Sequence, residues 1–422
     1  MTYKNDQSAY LNTLNDLNKL IDGKTCGENH SGKSRKRKSI NEALIRASKK
    51  GRLHDVKKLL EYGADINYAE VYLRGFPGDT SIKIALSYGH YDLAKYLFEK
   101  GANAGREELE KLLTAAAKNN DAVYAFKLIK QGVALNPADR RNKSPLKAAV
   151  ESGHYEMTKL LLRHGADPNR ESEGKTPFIV AVLKDNIDIM KELVKNGAKI
   201  ENTNYHCGEA FYDACYKGDF KRVCELMKLG ISYRLTDRYG YSGLMAAAYG
   251  GHAGIAEFLI NKGADVNHRT LNNQNALIYC LTQIDPKKIT GCMNVVKLLL
   301  ERGSEVNVID GYGNSALSAL SVAPYPEEIK TRFIKKVIEK EACVNTVFPD
   351  YSYFHKNILI WSITNNNREI FDLCLKKGAD IYSKDREGTP AFFHLIKDGS
   401  ADIMDIFTKS RNIYQIAPLL VI

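Results

Sequence analysis

Ser144-Pro145-Leu146-Lys147-Ala148-Ala149-Val150-Glu151-Ser152-Gly153-His154 leads into Tyr155-Glu156-Met157-Thr158-Lys159-Leu160-Leu161-Leu162-Arg163-His164 and closes on Gly165-Ala166-Asp167-Pro168-Asn169. A serine whose hydroxyl can take up first-turn amides, followed by proline, is a helix start. Glycine just beyond an apolar run is a helix stop. Between the two glycines, Met157, Leu160 and Leu161 fall at i, i+3 and i+4 and make one apolar stripe. The alanine pair Ala148-Ala149 lets a neighbouring helix approach closely. The stretch predicts a short helix, a tight turn, a second short helix and a loop.

The same phrase recurs along the chain. Its closing pentad returns as Gly63-Ala64-Asp65-Ile66-Asn67, Gly263-Ala264-Asp265-Val266-Asn267 and Gly303-Ser304-Glu305-Val306-Asn307, with weaker copies from Gly101, Gly132, Gly197, Gly230, Glu341 and Gly378. Successive starts are 38, 31, 33, 32, 33, 33, 40, 38 and 37 residues apart, and a run of five steps near 33 is a structural period. Twelve residues before these starts comes a turn: Gly51-Arg52, Gly89-His90, Asn120-Asp121, Gly153-His154, Gly218-Asp219, Gly251-His252 and Gly291-Cys292. Upstream again stand the start signals Thr80-Ser81, Ser144-Pro145, Thr176-Pro177 and Ser242-Gly243. Helices this short are marginal alone in water, so each unit must bury its face on the next in a one-dimensional stack.

These residues resemble the ankyrin repeat, with its pattern of roughly G-x-TPLHxAA-x-x-GH-x-x-VVxLLL-x-x-GADVN. The resemblance is strongest over Ser144–Asn169 and Ser242–Asn267 and runs over about residues 39–408. It implies an all-α solenoid of about ten to eleven helix–turn–helix repeats with short hairpin-like loops. The histidine of TPLH is missing throughout, its place held by Lys83, Lys147, Ile179 and Met245, so the usual Thr–His hydrogen bond is not expected. Insertions at Gln283–Thr290 and Val322–Glu328 are expected to bulge from the stack. Residues 1–38 read as an N-terminal capping helix (8–21) plus a flexible basic linker, and 409–422 as an apolar C-terminal tail packed on the last helices.

Composition narrows the function classes. No run reaches 18 apolar residues, so no transmembrane helix is expected, and Met1–Asp6 leads into no apolar signal core. The chain therefore reads as cytoplasmic, or nuclear if the run Lys33, Arg35, Lys36, Arg37 and Lys38 is an import address. Eight cysteines stand without a CxxC pair, so neither a disulfide framework nor a zinc signature is expected. Residues 1–50 hold eleven Lys/Arg against five Asp/Glu, +6 of the formal +11. The mild excess left over the repeats disfavours nucleic acid as a partner.

Candidate chemistry is sparse. Gly27-Glu28-Asn29-His30-Ser31-Gly32-Lys33-Ser34 fits the letters of a phosphate-binding loop, but that motif needs a buried strand before it and a helix after it. His206, Cys207, Cys215 and Cys224 lie close in sequence and are expected in packing roles, as are Cys280 and Cys374. His90, His154 and His252 take the turn-histidine place of the resemblance, a structural role. No catalytic residue, metal or cofactor is expected, and the alternative of a small activity in the non-repeat segments has little chain to occupy.

A binding surface remains. The resemblance places partners against the first helices and the loop tips. Register puts Lys49, Lys50, Tyr88, Lys118, Lys184, Tyr216, Lys217 and Tyr249 on the inner face. The loop tips carry Arg140, Arg141, Lys143, Arg238, Tyr239, Tyr241 and Tyr312. Tyrosine and arginine dominate interface energetics. Tyr216, Lys217, Arg238, Tyr239, Tyr241 and Tyr249 are expected to form one patch for a protein partner with an acidic, partly apolar surface, bound by a monomer. Divergent repeats rich in Lys, Asn and Tyr also resemble ankyrin effectors that intracellular bacteria inject into host cells; a eukaryotic cytosolic scaffold is the alternative.

Overall fold

The computed structural model describes residues 30–71, 77–137, 144–200, 204–282, 285, 287–346, 348, 357–385 and 387–409. They form 22 helices and one two-stranded antiparallel ribbon, Ala69–Val71 with Pro77–Thr80. Two compact units divide the chain, Met1–Lys199 and Ile200–Ile422. The first contains five helix pairs: α1 (His30–Lys49) with α2 (Leu53–Glu61), α3 (Ser81–Ser87) with α4 (Tyr91–Glu99), α5 (Arg106–Lys118) with α6 (Ala122–Lys130), α7 (Pro145–Glu151) with α8 (Tyr155–Arg163), and α9 (Pro177–Leu183) with α10 (Ile187–Lys195). The second contains six: α11 (Tyr205–Lys217) with α12 (Phe220–Lys228), α13 (Gly243–Gly250) with α14 (Ala253–Asn261), α15 (Ala276–Leu281) with α16 (Ile289–Glu301), α17 (Ala316–Val322) with α18 (Glu327–Glu339), α19 (Ile358–Thr364) with α20 (Arg368–Lys376), and α21 (Ala391–Asp398) with α22 (Ala401–Lys409). Helix pair follows helix pair, as the period requires.

The pair α7–α8 shows why the sequence folds this way. The Ser144 hydroxyl accepts the Lys147 amide at 3.1 Å and Pro145 occupies the first turn. Ala148 and Ala149 are buried against the neighbouring first helices, and Met157, Thr158, Leu161 and Leu162 form the buried stripe of α8. Full burial of such an aliphatic side chain contributes about 1.5–3 kcal/mol. Gly165 ends α8 with φ +94°, which brings the Ala166 amide back onto the Leu161 carbonyl at 3.0 Å. Gly153 makes the tight turn between α7 and α8 with φ +74°, a place that Asn120, Asp185 and Asn366 fill in other repeats with φ between 52° and 57°. Ser144, Thr176 and Ser242 cap their helices, whereas the Thr80 side chain makes no cap bond.

The final asparagine of the recurring pentad is the rivet between repeats. Asn169 donates from Nδ2 to the Gly197 carbonyl (2.9 Å) and accepts the Lys199 amide (2.7 Å). Asn136 holds Gly165 and Asp167 in the same way. In the second unit Asn267, Asn307 and Asn345 repeat the pattern on the loops that follow them. Replacing Asn169 with alanine removes both bonds at an exposed site where water replaces them in part, and should cost about 1–2 kcal/mol in urea unfolding. An unchanged midpoint would show that the rungs add nothing.

The turn histidines also tie repeats together: His90, His154 and His252 bond from Nε2 to the carbonyls of Lys49, Lys118 and Tyr216 at 2.9–3.1 Å.

Two expectations need revision, at Gly291 and at Lys33–Lys38. The expected turn at Gly291-Cys292 lies inside α16, where a Cβ on Gly291 would stand 2.3 Å from the Gly251 carbonyl oxygen. Glycine there serves close helix approach. In the insertions Ile289, Ala323 and Tyr325 are buried, while Lys287, Thr290, Val322, Pro324, Pro326, Glu327 and Glu328 are exposed. The insertions lengthen α16 and α18 to 13 residues each, and buried Tyr325 donates to the Leu281 carbonyl at 3.3 Å. The backbone of Lys33–Lys38, expected as a flexible linker, is helical within α1, so Gly32-Lys33-Ser34 is no loop ahead of a helix. The expected capping helix (8–21), Arg140, Arg141, Lys143 and the tail (410–422) lie outside the described residues.

Candidate functional site

The first helices of three consecutive repeats in the Ile200–Ile422 unit carry a tyrosine in their last turn: Tyr216 in α11 and Tyr249 in α13 at matching places, and Tyr279 in α15 three residues earlier in the register. Glycines allow the approach. A Cβ on Gly243 would lie 2.5 Å from the Phe211 ring, and one on Gly250 would lie 2.5 Å from the Tyr216 carbonyl oxygen. With α11 and α13 so close, Tyr216 and Tyr249 stack at 6.1 Å, and Tyr249 stacks on Tyr279 at 4.4 Å. Tyr212, one turn before Tyr216, meets Tyr216 at 6.4 Å and Tyr241 at 6.2 Å, and Tyr241 lies 4.6 Å from Tyr279. The five rings form one continuous half-buried surface.

Their hydroxyls are tied down. The Tyr212 and Tyr279 oxygens are 2.7 Å apart, and Tyr241 donates to Gln274 Oε1 at 3.2 Å. Lys288 donates to the Tyr216 hydroxyl at 2.9 Å, with its Nζ 4.1 Å from the Tyr216 ring centroid. Burial, and then the neighbouring tyrosines and carboxylates, push the Tyr212, Tyr241 and Tyr279 phenols above their ordinary value. They stay neutral at physiological pH, as suits a contact surface.

Beside the rings lie three loop tips stitched by backbone bonds, from the Leu271 amide to the Tyr239 carbonyl (3.3 Å) and from the Gly311 amide to the Asn272 carbonyl (2.7 Å). They display Tyr239, Leu271, Ile309 and Tyr312 at 60%, 81%, 50% and 51% exposure. Asp237 fixes the first tip by accepting the Tyr239 and Tyr241 amides, each at 2.8 Å.

The structure brings Tyr216, Tyr241 and Tyr249 together and places Arg238, Tyr239 and Tyr312 on neighbouring tips. Arg238 is ion-paired with Glu209 and Lys217 with Asp213, both at 2.6 Å, so neither is a free cation. Tyr88, Lys118 and Lys184 take equivalent first-helix ends in the Met1–Lys199 unit, where Lys49 lies 5.6 Å over the Tyr88 ring and all three side chains are exposed. Arg37 and Lys38 are exposed on α1. Sequence reasoning missed Tyr212, Tyr279 and Lys288. Tyr279 follows Tyr249 by 30 residues, three short of the period, and Lys288 comes from the insertion, so neither has a register place to read.

Cysteines and histidines take packing roles. Cys207, Cys215, Cys280 and Cys374 are buried, Cys224 is half-buried, and His206 pairs with Glu209 at 3.2 Å. Among the described residues no group of three or more His, Cys, Asp or Glu is placed to hold a metal ion. Burial pushes the Cys215 and Cys374 thiols up to about 12, while Cys343 is exposed. In a Cys26→Ser, Cys224→Ser background, Ellman's reagent at pH 8 should therefore find one fast thiol per chain, lost in Cys343→Ser. Several fast thiols would mean that the helix pairs open readily. No described helix is long and apolar enough to cross a membrane.

The family model described as ankyrin repeats matches residues 7–108, 112–204 and 211–310 in three copies. Human transient receptor potential cation channel subfamily A member 1 is 26% identical over 326 residues, 71% of this chain and 28% of that protein. Ankyrin repeat domain-containing protein SAT10 of Stachybotrys chartarum is 25% identical over 320 residues, 71% of this chain and 15% of its own length. The chain thus spans less than a third of either relative. Among solved structures, the ankyrin repeat domain of Bcl-3, from the IkappaB family, overlays 54% of this chain and 97% of that domain at 19% identity, with a TM-score of 0.41.

Proposed function

The chain belongs to the ankyrin-repeat family, and from that premise we propose that it binds another protein through the tyrosine face and loop tips of its Ile200–Ile422 unit. Ankyrin repeats generally mediate protein–protein interaction. The observation that carries this choice of surface is the unbroken contact of Tyr212, Tyr216, Tyr241, Tyr249 and Tyr279. Rings already fixed against one another lose little side-chain entropy when a partner covers them, which is what an interface anchor requires. Lys288 sits over this face, while the nearby Arg238 and Lys217 are neutralised by Glu209 and Asp213. The partner segment therefore carries an aromatic or aliphatic anchor beside a carboxylate.

The test is affinity capture with the whole chain, followed by binding measurements on the captured partner. Tyr249→Ala and Tyr279→Ala should each weaken binding by at least fivefold to tenfold, about 1–1.4 kcal/mol, and Lys288→Glu should weaken it most at low salt. Tyr88→Ala, in the other unit, should leave it unchanged. Equal binding by all variants would remove the tyrosine face from consideration.

A further inference from the structure

The second helices of the Met1–Lys199 unit carry a pattern that the tyrosine face does not involve. In three successive repeats an aromatic residue is followed four positions later by a lysine folded toward its ring: Lys100 lies 5.8 Å from Tyr96, Lys130 5.4 Å from Phe126 and Lys159 5.6 Å from Tyr155. Lys57 approaches Tyr96 from the preceding repeat at 5.1 Å, and the His164 ring meets Phe126 edge-on at 5.7 Å. The centre of this surface is α6. Its sequence, Ala122-Val123-Tyr124-Ala125-Phe126-Lys127-Leu128-Ile129-Lys130, buries Tyr124, Ala125 and Leu128 and contains no acidic residue. Its outward side shows Val123 at 84% exposure and Phe126 at 42%, with Lys127 and Lys130 exposed beside them. Among the described residues, Lys57, Lys100, Lys127, Lys130 and Arg163 form no ion pair, whereas Lys95 is neutralised by Asp121 at 2.6 Å.

The geometry points to an anionic lipid surface as the partner of this outer face, with Val123 and Phe126 entering the headgroup boundary and the surrounding lysines facing the lipid charge. An exposed Val and Phe on the same helix as the unpaired Lys127 and Lys130 is the composition of a peripheral membrane contact, and each lysine or arginine held near such a surface strengthens binding about fivefold. No pocket is needed for this. Charge complementarity favours an anionic partner at α6, which contributes Lys127 and Lys130 and no carboxylate, while the exposed Glu61, Glu99 and Glu156 lie on neighbouring second helices. The inference uses the other unit and stands independently of the protein-binding reading above.

Sedimentation of the full chain with vesicles of phosphatidylcholine, with and without phosphatidylserine, tests it. Binding is expected only with phosphatidylserine and should fall as salt is raised. Lys127→Glu with Lys130→Glu should lower the bound fraction roughly tenfold or more, and Val123→Ser with Phe126→Ser should lower it severalfold. All four positions are exposed, so an unchanged circular-dichroism melt is expected and checks the fold. Tyr249→Ala, the variant aimed at the protein-binding face, should sediment like the parent. The inference is overturned if the chain ignores phosphatidylserine vesicles at low salt, if both double variants bind like the parent, or if neutral vesicles bind equally well. Loss of vesicle binding together with lysine-dependent binding to polyglutamate would overturn it in favour of an acidic protein partner.

Discussion

Gly208→Ala should destabilise the Ile200–Ile422 unit by about 2 kcal/mol, read as a lowered urea midpoint, although alanine is the better helix former. Gly208 lies inside α11, where helix propensity alone favours alanine by about 1 kcal/mol. Packing reverses the sign. A Cβ at Gly208 would stand 1.9 Å from the Thr236 carbonyl oxygen and 2.4 Å from its carbon. Those are backbone atoms of a loop fixed by the Thr236–Ser242 bridge and by Asp237, so no side chain can swing aside. Overpacking of this kind costs about 1–3 kcal/mol and sometimes more. Gly254, in the first turn of α14 with nothing within 4 Å of its Cβ position, is the matched control: Gly254→Ala should be neutral or stabilise by up to about 1 kcal/mol. If both alanines stabilise, α11 does not rest on that loop. The displaced loop carries Tyr239 and Tyr241, so Gly208→Ala should also weaken partner binding without touching an interface side chain.

Lys147→Ala should cost about 3 kcal/mol, and Lys147→Met less than about 1 kcal/mol. Lys147 stands where the family pattern has its TPLH histidine, and at 1% exposure it is among the most deeply buried side chains in the chain. Its ammonium donates to the Ser172 carbonyl and lies 3.0 Å from Glu173 Oε2, whose side chain is half exposed. Two opposing effects meet here. Burying the ammonium is expensive, and an ion pair with a solvated partner offsets only part of that. The hydrocarbon stem, by contrast, fills space in the repeat interior, and emptying it leaves a cavity. Methionine keeps the stem and loses the charge, leaving one carbonyl short of a donor. Chemical denaturation of both variants separates the two contributions. Equal losses would make the hydrogen bond dominant, and a harmless alanine would mean the cavity collapses.

Lys147 also shows where the sequence pattern was legible. Its register fixed it as the replacement for a histidine, and the helix start at Ser144 was readable from one residue pair. The polar work moved to a contact with the loop 25 residues on, which no local rule supplies. The turn glycines at 153 and 165 and the apolar stripe of α8 were equally readable, because φ and amphipathic spacing are set within a few residues. Gly291 misled for a physical reason: glycine marks both left-handed turns and close helix contacts, and only the neighbour at Gly251 tells them apart. The course of the insertions was not readable, because spare length says nothing about whether it extends a helix or leaves the stack.

The tyrosine face divides the same way. Tyr216 and Tyr249 were legible because they share a place in the period, and aromatics at matching positions of stacked repeats must come near each other. Tyr212 and Tyr279 bond across 67 residues and Lys288 reaches Tyr216 across 72, separations fixed by how far each repeat is shifted on the one before. The sequence by itself determined the repeat, its helix ends and its buried stripe, because these follow from hydrogen bonding and burial within one unit. The tertiary structure alone decided which side chains of different repeats meet, because that depends on the close approaches permitted at Gly208, Gly243, Gly250 and Gly291.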